Sequence, residues 1–262
     1  MEKAESGLMN EPANLLSLDN VRDTLIRLED TIIFSLIERA KYPINTAVYN
    51  ESAGLVAGHH GSLIKFFAKR TEALHAQAGR YDSEEENAFF PACLPCSLVP
   101  SQPSTNVLHP VAKTVNINDD IWDFYIRQLL PLFTTEGDDG NYALTADADL
   151  ACLQAISRRI HIGKFVAEVK FLDDSQEYTR LIVAKDRNAL MRLLTFEAVE
   201  KMVKMRVEKK AEIFAQEVTL KGNNNGDAKY KIDPPVVARL YEEWVMPLTK
   251  EVEVEYLLRR LD

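Results

Sequence analysis

The sequence predicts an all-α protein: one domain, a helical bundle with long central helices. Three observations carry this. The 10 Gly and 11 Pro are gathered into a few segments. The stretches between them repeat apolar residues at i, i+3 and i+4, the period of an amphipathic helix. No run alternates as a strand does, and no Gly-rich nucleotide loop occurs. With 262 residues, 46% of them hydrophobic, the chain can bury a large core.

The elements follow in order. Residues 1–14 read as a flexible N-terminal segment ahead of one domain over 15–262. Residues 18–40, "LDNVRDTLIRLEDTIIFSLIERA", form a helix opening on an Asp19 or Asn20 cap. Residues 61–78 form a second. Residues 83–117 carry Pro91, Pro95, Pro100, Pro103 and Pro110 and form a connector. A helix restarts over 118–134 behind Asn118 and Asp119, and "TEGDDGN" at 135–141 is a loop. One long helix is expected over 146–172, short ones over 175–184 and 186–195, and another long one over 196–219. Residues 221–227 are a turn or mobile loop. Pro234 and Pro235 open a helical region that runs to the C-terminus.

The formal net charge of −9 excludes nucleic acid or an anionic membrane as a partner of the whole surface, but not a local basic pocket. No stretch approaches the ~20 apolar residues of a membrane span, and the N-terminus resembles neither a secretory signal nor a transit peptide, so the cytosol is expected. Cys93 and Cys96 form a CxxC, which raises a redox pair or half a zinc site. With three cysteines in all, no second CxxC and no following His pair, an incidental reading is favoured. No metal or cofactor is expected.

The chemistry lies in charges on the wrong face. At ~100° per residue, Arg159 and Lys170 differ by only about 20° in direction. They share that face with Cys152, Ala155, Ile156, Gly163, Val166 and Ala167. Gly163 lies between the two cations and leaves room beside the backbone. His161, Lys164 and Glu168 fall on the opposite side, where a polar, solvated face is expected. Arg22 shares a face with Leu18, Leu25, Ile26, Ile33 and Leu36; Glu200 shares one with Phe196, Val203, Val207, Ala211 and Phe214. Glu253, with Thr249 one turn before it, sits among Val245, Val252, Tyr256 and Leu257.

A buried, unpaired charge costs several kcal/mol. Two readings follow: an internal ion-pair network, or a ligand cavity lined from several helices. Periodicity leaves both open. If there is a cavity, two arginines suit bidentate capture of carboxylates. Lys170 and a protonated Glu253 could donate to an oxygen that gains negative charge. Ser157 has His161 four residues on, but no orienting acid, so it does not read as an activated nucleophile.

The stretches "SRRIHIGKFVAEVKF", "LDNVRDTLIRLEDTIIFSLIERA" and "MPLTKEVEVEYLLRRLD" resemble the all-helical chorismate mutases of plants and fungi, over residues 15 to 262. The resemblance implies conversion of chorismate to prephenate by a [3,3] sigmatropic rearrangement, in a homodimer with one active site inside each subunit's bundle. It implies Arg22 and Arg159 as carboxylate ligands, Lys170 and Glu253 as donors to the ether oxygen, Glu200 on the substrate hydroxyl, and Thr249 beside Glu253. Lys170, Glu253 and Arg159 are thereby the catalytic set. Where the fungal pattern has Asn one turn before Glu200, this chain has Phe196. Regulated relatives bind Trp or Tyr at the dimer interface, through a basic dipeptide and a Gly-Ser step. Here those positions read Gly79-Arg80 and, after Asn141, Ala143-Leu144. The altered pocket implies weak or absent control, as in the cytosolic plant isoform. The competing reading is a non-catalytic helical dimer that binds an aromatic amino acid or a protein partner.

Overall fold

The computed structural model describes residues 16–58, 60–100, 107–218 and 229–262. The expected segments 1–14 and 221–227 lie outside the described residues. The fold is all-α as predicted. Among the described residues the extended pairing amounts to one isolated bridge, Gln216 to Tyr230. None of the described helices is long and apolar enough to cross a membrane.

Helix α1 (Leu18–Arg39) starts where Ser17 Oγ accepts from the Asn20 amide, so the cap is Ser17 and not the expected Asp19 or Asn20. Its stripe of Ile32, Ile33 and Leu36 is fully buried along α5 (Tyr142–His161). A buried ion pair fixes that packing: Arg39 Nε donates to Asp149 Oδ1 at 2.5 Å, while Tyr49 and Tyr125 donate to the same carboxylate. Helix α2 (Leu63–Gln77) lies against the other side of α5. Among its described residues the connector holds only short 3₁₀ turns, in keeping with its prolines.

The expected 146–172 helix is two. α5 begins one turn earlier than the pattern suggested, and α6 (Gly163–Asp173) follows after Ile162. Ile162 keeps right-handed helical angles, so Arg159 and Lys170 still share a face across the step. The short helices α7 (Ser175–Val183) and α8 (Arg187–Leu194) are capped by Asp174 and Asp186. Helix α9 (Glu197–Phe214) ends before the expected 219.

Two helices widen into a π turn just ahead of a proline. α3 (Asn118–Phe124) passes through Tyr125–Leu129 into α4 (Leu130–Phe133), which contains Pro131. α10 (Pro234–Leu240) passes through Tyr241–Val245 into α11 (Met246–Leu258), which contains Pro247. Proline cannot donate and its ring crowds the carbonyl four residues back; a wider turn relieves both. The second π turn ends at Val245, whose carbonyl receives the Thr249 hydroxyl at 2.6 Å. The sequence pattern registered the helices but not these turns.

Candidate active site

A cavity of about 580 Å³ opens between α1, the α5–α6 pair, α9 and α11. Its walls include Arg22, Arg159, Lys170, Glu200, Thr249 and Glu253, the six residues singled out from the sequence, drawn from both ends and the middle of the chain. Leu18, Leu25, Val166, Phe196, Val203 and Met246 add apolar wall. Arg22 departs from the helical-face expectation. Its side chain is 56% exposed and paired with Asp19 at 3.2 Å, because it sits near the start of α1, at the rim of the cavity.

The charges decide between the two readings of the pattern. Lys170 Nζ lies 3.6 Å from Glu253 Oε2, and Lys250 Nζ donates to Glu200 Oε1 at 2.9 Å. Arg206 donates two hydrogen bonds to the buried Glu29, 2.9 and 2.6 Å long, and Lys210 bridges Glu29 and Asp30. Arg159 has no such partner. Only 5% exposed, it has no carboxylate within 4.0 Å among the described residues. Its Nη1 donates to Thr249 Oγ1 at 3.4 Å, and its guanidinium lies 5.8 Å from the Tyr241 ring centroid. A closed ion-pair network would have neutralised it. A buried cation left with a hydroxyl and a ring face is arranged for an anion that comes from outside.

Glu253 is the other pivotal group. Burial pushes its carboxyl pKa up to about 7, against the pull of Lys170. Among the described residues its Oε2 has no hydrogen-bond partner and lies on the cavity wall beside Lys170. Near neutral pH this oxygen can therefore carry a proton to give.

Gly163 does not clear space for a ligand, as the sequence suggested. A Cβ there would stand 2.8 Å from the Thr249 carbonyl oxygen and 3.3 Å from Glu253 Cγ. The glycine lets α11 approach α6, which sets the height of Thr249 and Glu253 over Lys170. Gly163→Ala is expected to destabilise the fold by about 1–3 kcal/mol through overpacking. It should also lower kcat more than KM, read from a denaturant titration alongside steady-state kinetics.

The opposite face of α5–α6 corrects a second expectation. His161, Lys164 and Glu168 are buried, not solvated. The His161 pKa is pushed down to about 3, by burial first and then by Lys164. Its neutral ring accepts the Ile117 amide at 3.1 Å. Lys164 donates to Asn87 Oδ1 and the Ala112 carbonyl at 2.8 and 2.9 Å, and burial lowers its pKa to about 8. Glu168 accepts from Tyr256 and Arg260. These contacts clamp the connector and the C-terminus onto the helices that carry the site. Ser157 belongs to the same structural set, bonded to Asn118 at 2.6 Å. Cys93 and Cys96 are exposed free thiols in the first half of the connector.

The sequence reading also missed Glu29, Arg206 and Lys250. Glu29 could have been found: it lies seven residues after Arg22, on the same face among Ile33 and Leu36. Lys250 and Arg206 lie beside the inward stripes, so no wheel selects them. The effector positions fall in two separate places. Asn141 bonds Asp139 at the α5 N-terminus, with Ala143 and Leu144 exposed just after it. Arg80 is held by Glu86, His75 and Gln154, the last about three turns further along α5. Gly79 has φ +83°, and a Cβ there would meet Val99 Cγ2 at 2.8 Å, so a side chain at this turn would be strained and would have to displace Val99.

Comparison with known proteins agrees with this geometry. The family described as chorismate mutase type II matches residues 141–254. "Chorismate mutase 2" of Petunia hybrida is 62% identical over 94% of this chain and 94% of its own length. "Chorismate mutase 2, cytosolic" of Zea mays is 59% identical over 94% and 97%. The crystal structure of AtCM1 with tyrosine bound in its allosteric site superposes with a TM-score of 0.85, at 48% identity, covering 96% of this chain and 99% of that one. Near-complete coverage at such identity, together with the all-helical fold, leads to one statement: the chain belongs to the type II chorismate mutases, a family of isomerases.

Proposed function

We propose that the cavity binds chorismate through Arg22 and Arg159 and rearranges it to prephenate by a [3,3] shift, with Lys170 and Glu253 as donors to the ether oxygen. The observation that carries this reading is the buried Arg159 without a carboxylate partner. The reaction breaks a C–O bond and forms a C–C bond within one molecule, so no nucleophile is needed. The arginines hold a flexible dianion in its reactive conformer, which removes part of the entropic barrier. Lys170 and protonated Glu253 meet the oxygen as it gains negative charge. Glu200, oriented by Lys250 at 2.9 Å, accepts from the substrate hydroxyl. Thr249 keeps Arg159 in place: its hydroxyl proton goes to Val245, which leaves its lone pairs to the guanidinium. A spectrophotometric assay of chorismate disappearance tests the reading, and no turnover by folded protein would overturn it. No observation favours the non-catalytic alternative.

The proposal extends to regulation, assembly and place. The AtCM1 structure carries an amino acid in an allosteric site. In this chain Leu144 offers bulk where the regulated pattern has a serine hydroxyl, and Arg80 is already committed to three partners. Activity is expected to change less than twofold when Trp or Tyr is titrated to millimolar concentration; a several-fold response to either would refute this. A homodimer in the cytosol, with no cofactor, completes the reading. The maize relative is itself named cytosolic. Light scattering at micromolar concentration reads the assembly state.

A further inference from the structure

Phe196 stands where helix chemistry does not want it. It is the residue before α9, a position that favours Ser, Thr, Asp or Asn, and it supplies no side-chain cap. Its ring is also 54% exposed, although it is one of the larger apolar side chains of the chain. A local rule broken at the edge of a site calls for a compensating gain. The gain is visible in one contact: the ammonium of Lys170 lies over the Phe196 ring, 4.9 Å from its centroid.

We infer that Phe196 is a positioning residue for Lys170, holding its ammonium by a cation–π contact at the cavity wall. The lysine stem has four rotatable carbons, and a partly exposed ammonium on it samples many rotamers unless something holds it. Lys170 is 18% exposed, and its carboxylate neighbour is 3.6 Å away, longer than a good hydrogen bond. The ring adds the second point of attachment. Its chemistry suits the task better than a second carboxylate would. A carboxylate would neutralise the ammonium and compete for its protons. The ring attracts through its quadrupole and takes no proton, so the donors stay free for an oxygen that becomes negative. The same ring covers part of the cavity mouth beside Val199 and Met202 and keeps water from the ammonium.

This inference rests on Lys170 acting at the ether oxygen, so the test includes Lys170→Ala. Phe196→Tyr and Phe196→Trp keep a ring face and are expected to stay within about twofold of wild-type kcat/KM. Phe196→Leu keeps the apolar bulk but not the face, and is expected to lose roughly three- to tenfold, in kcat more than in KM. Phe196→Ser should lose as much while melting higher, because it restores a helix cap; a purely structural role for the ring would lower both. In Phe196→Leu the freed ammonium can close on Glu253 and favour its carboxylate, so the alkaline limb of the pH–kcat/KM profile should move to lower pH. Phe196→Leu within twofold of wild type, or Tyr and Trp variants falling with Leu, would overturn the inference. If Lys170→Ala itself remains active, the proposed mechanism fails instead.

Discussion

Arg159→Leu is expected to lower kcat/KM on the order of 10³-fold and to leave the melting temperature of the ligand-free protein unchanged or raised. The two halves have one cause. The wild-type guanidinium is buried with a hydroxyl and a ring for company and no carboxylate within 4.0 Å among the described residues. In the absence of substrate it is a cost to the fold, so an apolar residue of similar volume is neutral or stabilising. In its presence the proposed role is that of a carboxylate ligand, so its loss would remove both grip and orientation. Lys170→Ala is expected to show a loss of similar size. Circular dichroism and thermal melting separate inactivity from unfolding. Chorismate should raise the melting temperature of the wild type and not that of Arg159→Leu. A variant that is inactive because it is unfolded would contradict the reading of Arg159 as a cost to the free protein.

The kcat/KM of the wild type is expected to fall as pH rises through about 7, and that of Glu253→Gln to hold level across the same range. The sign follows from the direction of the shift. Burial disfavours the carboxylate, so the folded protein keeps the Glu253 proton well above the usual carboxyl range and releases it near neutrality. Only the protonated form can donate to the ether oxygen. Once ionised, Glu253 accepts, and it repels the oxygen it should stabilise. An amide donates at every pH, so Gln removes the alkaline limb. Glu253→Ala, which cannot donate at all, should lose about 10²- to 10³-fold at all pH values. A pH–kcat/KM profile of the wild type that stays flat from 6 to 9 would sink the assignment.

Much of this was legible because the site is built on helices. An arginine and a lysine eleven residues apart on an apolar stripe mean the same thing before and after folding, provided the helix is nearly straight. The step at Ile162 keeps helical angles, so the face survived it. The failures share one cause: periodicity assumes a single core per helix. His161, Lys164 and Glu168 were assigned to solvent because they oppose the apolar stripe. They are buried because an irregular connector and the C-terminal arginine cover them, through Asn87, Ala112, Ile117 and Arg260. A segment without period leaves no trace of where it will lie. Arg22 failed the other way, since a wheel gives direction around a helix but not distance from its end. Glu200 lies between these cases, its side chain 30% exposed and tied to Lys250. The ring of Phe196 could be noted as a departure in the sequence, but only the contact with Lys170 gave it a role.

The pairing of α1 with α5 carries a consequence for a chain under synthesis. Arg39 meets Asp149 across 110 residues, and α11, with Thr249 and Glu253, is the last of the described helices. At translation speeds of about 5–20 residues per second, α1 waits several seconds with Ile32, Ile33 and Leu36 unpartnered. Helix α1 thus carries an uncovered apolar stripe through that interval. The cavity, lined from both α1 and α11, closes only after α11 has left the ribosome.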